Sequence, residues 1–170
     1  HYCGPEDYES VCGYRQRIFI TNSSRGKRLF LQFDGAAHHA WVYVNGVLAA
    51  EHKCGYTAFR VEISGLVEFG AENLIAVRLD SHEDAALPPF GFVIDYLTYS
   101  GLYREVWLDI REENHIEDIY VSTAGRIACV RYTVSGENRS AKVRILDGGH
   151  VLAETAGACG IGIIRADGAE

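Results

Sequence analysis

The chain has 170 residues, enough for one ordinary domain or for one complete β-sandwich followed by part of a second. Its 48% hydrophobic and 11% aromatic residues can close a core, which excludes a disordered or low-complexity chain. The formal charge of -7, spread without acidic runs, leaves no basic patch for nucleic acid and favours a neutral or small polar ligand.

Apolar residues recur with a period close to two almost throughout, as in Arg17-Ile18-Phe19-Ile20 and Trp41-Val42-Tyr43-Val44, and no helical period is sustained. The chain is therefore predicted to be all-β. Strands are expected around 17–20, 29–33 and 41–44. Asn45-Gly46 then separates two alternating runs, and this pair suits the two positive-φ positions of a type I′ turn, so 41–50 is predicted as a hairpin. Further strands are expected at 59–63, 74–79 and 105–110, with Gly65, Gly70 and Asn73 read as turn residues. The run at 74–79 is apolar enough for a central strand. Between Ser81 and Gly101 the pattern breaks, because Pro88-Pro89 excludes a regular ladder and Phe90, Phe92, Tyr96, Leu97 and Tyr99 crowd a long connection. Strands resume at 116–121, 127–134, 142–146 and 150–154, with turns at Ala124-Gly125, Gly136-Glu137-Asn138 and Asp147-Gly148-Gly149. These breaks predict one domain over 1–112 and another over 113–170, packed directly together because no Pro/Gly-rich linker joins them. The last segment, 156–170, supplies too few strands to complete a seven-stranded sandwich.

Cys3, Cys12, Cys54, Cys129 and Cys159 are odd in number and lack the spacing of a disulfide framework or a CxxC clip, which predicts free thiols in a reducing, cytoplasmic compartment. No apolar stretch approaches the ~20 residues that span a bilayer, so no membrane partner is expected. The sequence opens at His1 and contains no Met, which predicts a piece of a longer polypeptide. His38-His39 invites a metal reading, yet neighbours on a strand point to opposite faces, so packing is expected and no metal site is assigned. Glu51-His52 is read as organising its loop by hydrogen bonds, and Cys54 as a small loop residue without a nucleophile's partners.

Taken in order, Gly13-Tyr14-Arg15, Leu31-x-Phe33, Ala40-x-Val42-x-Val44-Asn45-Gly46, Glu51-His52-x-x-Gly55-Tyr56-Thr57-x-Phe59, Asn73-x-Ile75-x-Val77 and Tyr99-Ser100-Gly101-Leu102-Tyr103-Arg104-Glu105-Val106-Trp107-Leu108 resemble the sugar-binding domain of family 2 glycoside hydrolases, the β-galactosidase and β-glucuronidase type. The resemblance implies a jelly-roll β-sandwich of the galactose-binding-domain kind, lacking its first strand or strands, then a partial immunoglobulin-like β-sandwich. It also implies a catalytic (β/α)₈ barrel that this chain does not reach. Asp95 occupies the place of an acidic residue that, in the family, touches the bound sugar from a loop reaching the barrel. An ionised carboxylate accepts two sugar hydroxyls there, with Phe92, Tyr96 and Tyr99 offering stacking faces; the alternative is a turn cap. Asn45, Gly46, Gly55, Gly101 and Arg104 are read as structural. Arg104 is placed to clamp a carboxylate or loop carbonyls with its fork of donors.

Retaining glycosidases need two carboxyl groups about 5–5.5 Å apart, and the resemblance places both on barrel strands. Glu72-Asn73 and Glu137-Asn138 have the reversed order in predicted turns and Glu113-Asn114 sits at the boundary, so no catalytic residue is assigned to this chain. The expectation is a non-catalytic portion of a β-glycosidase, most like a β-galactosidase, that buttresses the barrel, lends a loop to its sugar site and is inactive alone. Its partner is a β-linked glycoside through the full-length enzyme. No cofactor is expected in this chain; the resemblance allows a monovalent or divalent cation in the full-length enzyme. Exposed edges predict self-association into a homo-oligomer. The competing readings are a stand-alone carbohydrate-binding module and an adhesion sandwich without ligand.

Overall fold

The computed structural model describes residues 9–87, 99–125, 127–137, 140–158 and 160–165. The chain divides into two compact units, His1–Ile110 and Arg111–Glu170.

The first unit is a jelly-roll β-sandwich. Its strands are β1 (Val11–Ile20), β2 (Arg28–Phe33), β3 (His39–Val44), β4 (Val47–Lys53), β5 (Phe59–Glu62), β6 (Ala71–Asp80) and β7 (Val106–Arg111). One sheet runs in the order β1-β6-β3-β4 and the other in the order β5-β2-β7. The predicted period-two pattern is what fills the space between them: Leu29, Leu31 and Phe33 of β2, Ala40, Val42 and Val44 of β3, and Ile75, Val77 and Leu79 of β6 all turn inward and are buried. Each such Val, Leu or Phe contributes about 1.5–3 kcal/mol by leaving water, so this alternation fixes which face of each strand points in. The run at 74–79 lies within β6, which pairs with both β1 and β3, as its apolar character predicts.

Asn45 and Gly46 adopt φ of 50° and 84°, the two positive values of a type I′ turn, and join β3 to β4. Asn45 does more than turn the chain: its Oδ1 accepts from the Leu74 amide at 2.9 Å and its Nδ2 donates to the Leu66 carbonyl at 3.0 Å. Asn73 corrects the sequence reading. Expected in a turn, it lies inside β6, fully buried, because its side chain takes over the unpaired groups of the adjoining loop: Oδ1 accepts from the Glu68 amide at 2.7 Å, and Nδ2 donates to the Glu68 carbonyl at 2.8 Å.

The second unit is built like an immunoglobulin-like sandwich. Strands β8 (Ile116–Ala124), β9 (Ile127–Val134) and β12 (Gly160–Arg165) form one sheet in the order β12-β9-β8, and β10 (Ser140–Asp147) and β11 (His150–Ala158) form a hairpin. The hairpin is longer than its predicted strands, since pairing runs from Asp147↔His150 out to Ser140↔Ala158. Val130, Tyr132 and Val134, alternate residues of β9, make its small core with Ala141 and Val143 of β10.

Candidate functional site

Three segments of the first unit meet at one place: the approach to β3 (34–38), the turn after β4 (53–57) and the approach to β7 (99–104). Ala37 and Gly101 bridge the first and third, the Ala37 amide donating to the Gly101 carbonyl at 3.0 Å and the Gly101 amide to the Ala37 carbonyl at 3.3 Å. Ser81, fully buried just after β6, ties the bridge to the core, donating through Oγ to the Ala37 carbonyl at 2.8 Å and accepting from Ser100 Oγ at 3.0 Å. Gly101 has φ of 76°, and a Cβ there would collide with the Tyr14 hydroxyl, so both conformation and space require glycine.

On this frame stands a cluster of three tyrosines. Tyr99 and Tyr103 stack with ring centroids 4.8 Å apart and planes 7° from parallel, and Tyr56 meets both edge-on, at 6.2 and 6.1 Å. The Tyr103 hydroxyl donates to the Gly55 carbonyl at 2.8 Å, while its ring rests on Gly35, where a Cβ would lie 2.7 Å from Cζ. Tyr103 is thereby fixed from two sides. Tyr99, the outer ring of the stack, is 58% exposed. Burial raises the Tyr103 phenol above its ordinary value, opposed by the nearby Arg104 charge.

His38 lies beneath, buried, with its Nδ1 3.0 Å from where a Cβ on Gly55 would stand. Neither ring nitrogen has a hydrogen-bond partner, and burial lowers its pKa below the ordinary histidine value, against the pull of the Glu83 and Glu9 carboxylates. His39 turns outward, stacks on Trp41 at 3.6 Å and meets Glu51 Oε1 through Nε2 at 2.6 Å. The two histidines thus part, with His39 opening β3 and His38 just before the strand. Among the described residues, no three metal-ligating side chains converge. His52 stacks on Phe59 at 4.1 Å and its Nε2 lies 2.9 Å from Thr57 Oγ1, which orders the 53–57 turn; Glu51 serves β3 instead of that turn. Cys54, at φ of 103°, is a free thiol whose pKa is lowered chiefly by the Tyr56 backbone N–H.

Arg104 is exposed and sits over the Tyr103 ring, Cζ 5.3 Å from its centroid. Among the described residues its contact is this cation–π face and no carboxylate clamp. Asp95, Tyr96 and Phe92 lie outside the described residues. The sequence assigns no role to Tyr56, Tyr103 or Ser81. Gly35, on which the Tyr103 ring rests, is the signal that would have found the pocket for that ring.

Residues 3–111 match the family described as "Glycosyl hydrolases family 2, sugar binding domain". The chain belongs to that family. All three segments of the tyrosine cluster and both sheets of the jelly roll fall within the matched range. The family 2 chain is 43% identical over 121 residues to a β-galactosidase of Thermoanaerobacter pseudethanolicus, covering 71% of this chain and 16% of the relative. It is 37% identical over 123 residues to a β-glucuronidase of Bacteroides fragilis, covering 72% of this chain and 17% of the relative. Among solved structures, a β-glucuronidase of Ruminococcus gnavus superposes with a TM-score of 0.78 at 28% identity, over 96% of this chain and 30% of that one. The chain therefore spans less than a fifth of the length of the two curated relatives.

Proposed function

We propose that this chain is the non-catalytic sugar-binding portion of a longer β-glycosidase, most like a β-galactosidase, which supports the catalytic barrel and lends residues 88–104 to its sugar site. The observation that carries the reading is the tyrosine stack. Tyr99 presents an exposed ring, held in place by Tyr103 and Tyr56, four residues beyond Asp95 in sequence. A rigid aromatic face suits the apolar C–H face of a pyranose, and a carboxylate nearby suits its hydroxyls. The 43% identity to a β-galactosidase supports a galactoside over a glucuronide.

The test compares the 170-residue chain with the whole polypeptide that its gene encodes, on p-nitrophenyl β-galactoside and β-glucuronide. The chain alone is expected to turn over neither. Asp95→Ala in the whole polypeptide should lower kcat/KM about 10- to 100-fold, the equivalent of one hydrogen bond to a charged group. Titration of the chain itself with galactose, glucuronic acid and mannose, followed by NMR at 99–104, should give no shift at millimolar sugar. Saturable shifts lost in Asp95→Ala would instead establish a stand-alone carbohydrate-binding module.

A further inference from the structure

The turn between β3 and β4 carries a chemistry that the fold holds shut. Asn45 is followed by glycine, whereas Asn22, Asn73, Asn114 and Asn138 precede Ser23, Leu74, His115 and Arg139. In water an asparagine amide is open to attack by the backbone nitrogen of the next residue, and glycine, without a Cβ, hinders that attack least. The Gly46 nitrogen gives its proton to hydroxide and bonds to Asn45 Cγ, the Cγ–Nδ2 bond breaks, and Nδ2 leaves as ammonia with a proton returned from water. Water then opens the resulting cyclic imide at either carbonyl, which yields aspartate or an isoaspartate whose backbone runs through the side chain. The sum is amide plus water to acid plus ammonia, with no change of oxidation state. Both residues are exposed, and a Cβ on Gly46 would meet nothing within 4 Å, so solvent reaches the turn freely.

Conformation, not access, closes the route. Ring formation requires the Gly46 nitrogen to eclipse Asn45 Cβ. In a type I′ turn ψ at this position is about +30°, which places that nitrogen about 150° away, nearly opposite Cβ. Rotating ψ to bring it round while φ stays at 50° leads outside every backbone region open to an L-residue. The side chain is pinned as well. Oδ1 accepts from the Leu74 amide at 2.9 Å, and Nδ2 donates to the Leu66 carbonyl at 3.0 Å and to Asn73 Oδ1 at 2.8 Å, which holds the amide against the 66–74 corner. The Asn45 backbone N–H donates to the Leu74 carbonyl at 2.9 Å. These bonds and the hairpin must open before the ring can close.

We propose that Asn45-Gly46 is a conformation-gated deamidation site: native copies keep the amide, unfolded copies lose it, and its loss bars the return to the native hairpin. The bar follows from what the products meet. Aspartate at 45 keeps the Leu74 amide as a donor but turns a carboxylate oxygen toward the Leu66 carbonyl and Asn73 Oδ1, both acceptors. Isoaspartate lengthens the backbone of a two-residue loop whose geometry sets the pairs Val44↔Val47 and Tyr43↔Leu48. A slip of register there turns Val42 and Val44 out of the core. Because β3 lies between β4 and β6, the error reaches the whole four-stranded sheet. The turn thus converts an unfolding event into a permanent covalent mark.

The test holds the 170-residue chain at one mildly alkaline pH, folded in buffer and unfolded in guanidinium chloride, with a free peptide of residues 42–49 in each solvent to correct for the denaturant. After digestion, mass spectrometry reads the exchange of amide for acid at 45, and chromatography separates aspartate from isoaspartate. Asn45 is expected to react at least about tenfold more slowly in the folded chain. After dilution from denaturant, refolded and unrefolded chains are separated by size and digested, and acid at 45 should be confined to the unrefolded fraction. Asn45→Gly accepts the same φ and carries no amide, so it should refold fully after the same incubation; if that variant does not fold, the two fractions of the natural chain decide alone. Equal corrected rates in the folded and unfolded chains overturn the proposal. So does acid at 45 found at the same level in refolded and unrefolded chains.

Discussion

Replacing Asn73 by Ala removes four hydrogen bonds at one stroke. Its Oδ1 accepts from the Glu68 amide at 2.7 Å and from Asn45 Nδ2 at 2.8 Å, and its Nδ2 donates to the carbonyls of Glu68 at 2.8 Å and Ala71 at 3.2 Å. Of the groups left behind, Asn45 Nδ2 keeps the Leu66 carbonyl, while the Glu68 amide and carbonyl lose the partner that held them. At about 1 kcal/mol for each bond, with water recovering part at the loop side, the loss is about 3 kcal/mol, against a total stability of about 5–15 kcal/mol for such a domain. Asn73→Asp keeps the shape but replaces the two donors by a second acceptor that faces carbonyl oxygens, so it should cost at least as much. Both tryptophans of the chain, Trp41 and Trp107, lie in the first unit, so tryptophan fluorescence in urea reports this unit alone. The midpoint should fall with an unchanged slope. Glu72→Ala, one residue away on the exposed face of β6, should stay within about 0.5 kcal/mol of the parent. A loss below 1 kcal/mol for Asn73→Ala would refute the assignment of this side chain as the organiser of the 66–74 corner.

Gly35→Ala sets a methyl group 2.7 Å from the Tyr103 Cζ and hydroxyl; because that ring is stacked on Tyr99 and bonded to Gly55, it should cost about 1–3 kcal/mol and alter the near-UV circular dichroism of the tyrosines. Unchanged stability and spectrum would show that the stack is not held as described. His38 makes stability depend on pH: its folded pKa is depressed by burial, so the unfolded chain binds the proton more readily. Stability is then fully present above the unfolded value of about 6.5 and falls as the pH drops below it, by at most about 1.4 kcal/mol per pH unit. His38→Leu should flatten the profile between pH 6.5 and 5, and a slope equal to that of the parent would place the effect elsewhere.

The framework was legible because it rests on short-range rules. Asn45-Gly46 announces its own turn, and the alternation of Trp41-Val42-Tyr43-Val44 states which side chains point inward once the period is known. Asn73 was misread for a definite reason: asparagine favours turns because its side chain bonds to nearby backbone, and here it does so from within a strand, serving a loop five residues behind it. The tyrosine cluster was only partly visible. Tyr99 announced itself by lying in an aromatic connection, but the pairing of Tyr103 with Tyr56 depends on segments 48 residues apart in the Tyr103–Gly55 hydrogen bond, and no local pattern encodes it. Arg104 is placed by the sequence to clamp oxygens, and among the described residues the contact it shows is with the ring beside it in the sequence.

The energetics of the cluster explain why such a domain would work as part of a larger site. One exposed ring stacked on a sugar offers about 1 kcal/mol, and two hydroxyls bonded to a carboxylate such as that of Asp95 add about 1.5–3 kcal/mol each. The sum, about 4–7 kcal/mol, is comparable to the least that association costs in lost translational and rotational freedom, which leaves a dissociation constant no tighter than about millimolar. The rigid seating of Tyr103 on Gly35 and of the 99–101 segment on Ser81 spares further ordering cost but adds no contact of its own. A platform of this strength discriminates among orientations of a sugar that other walls already hold, which is the work the proposed function assigns to it.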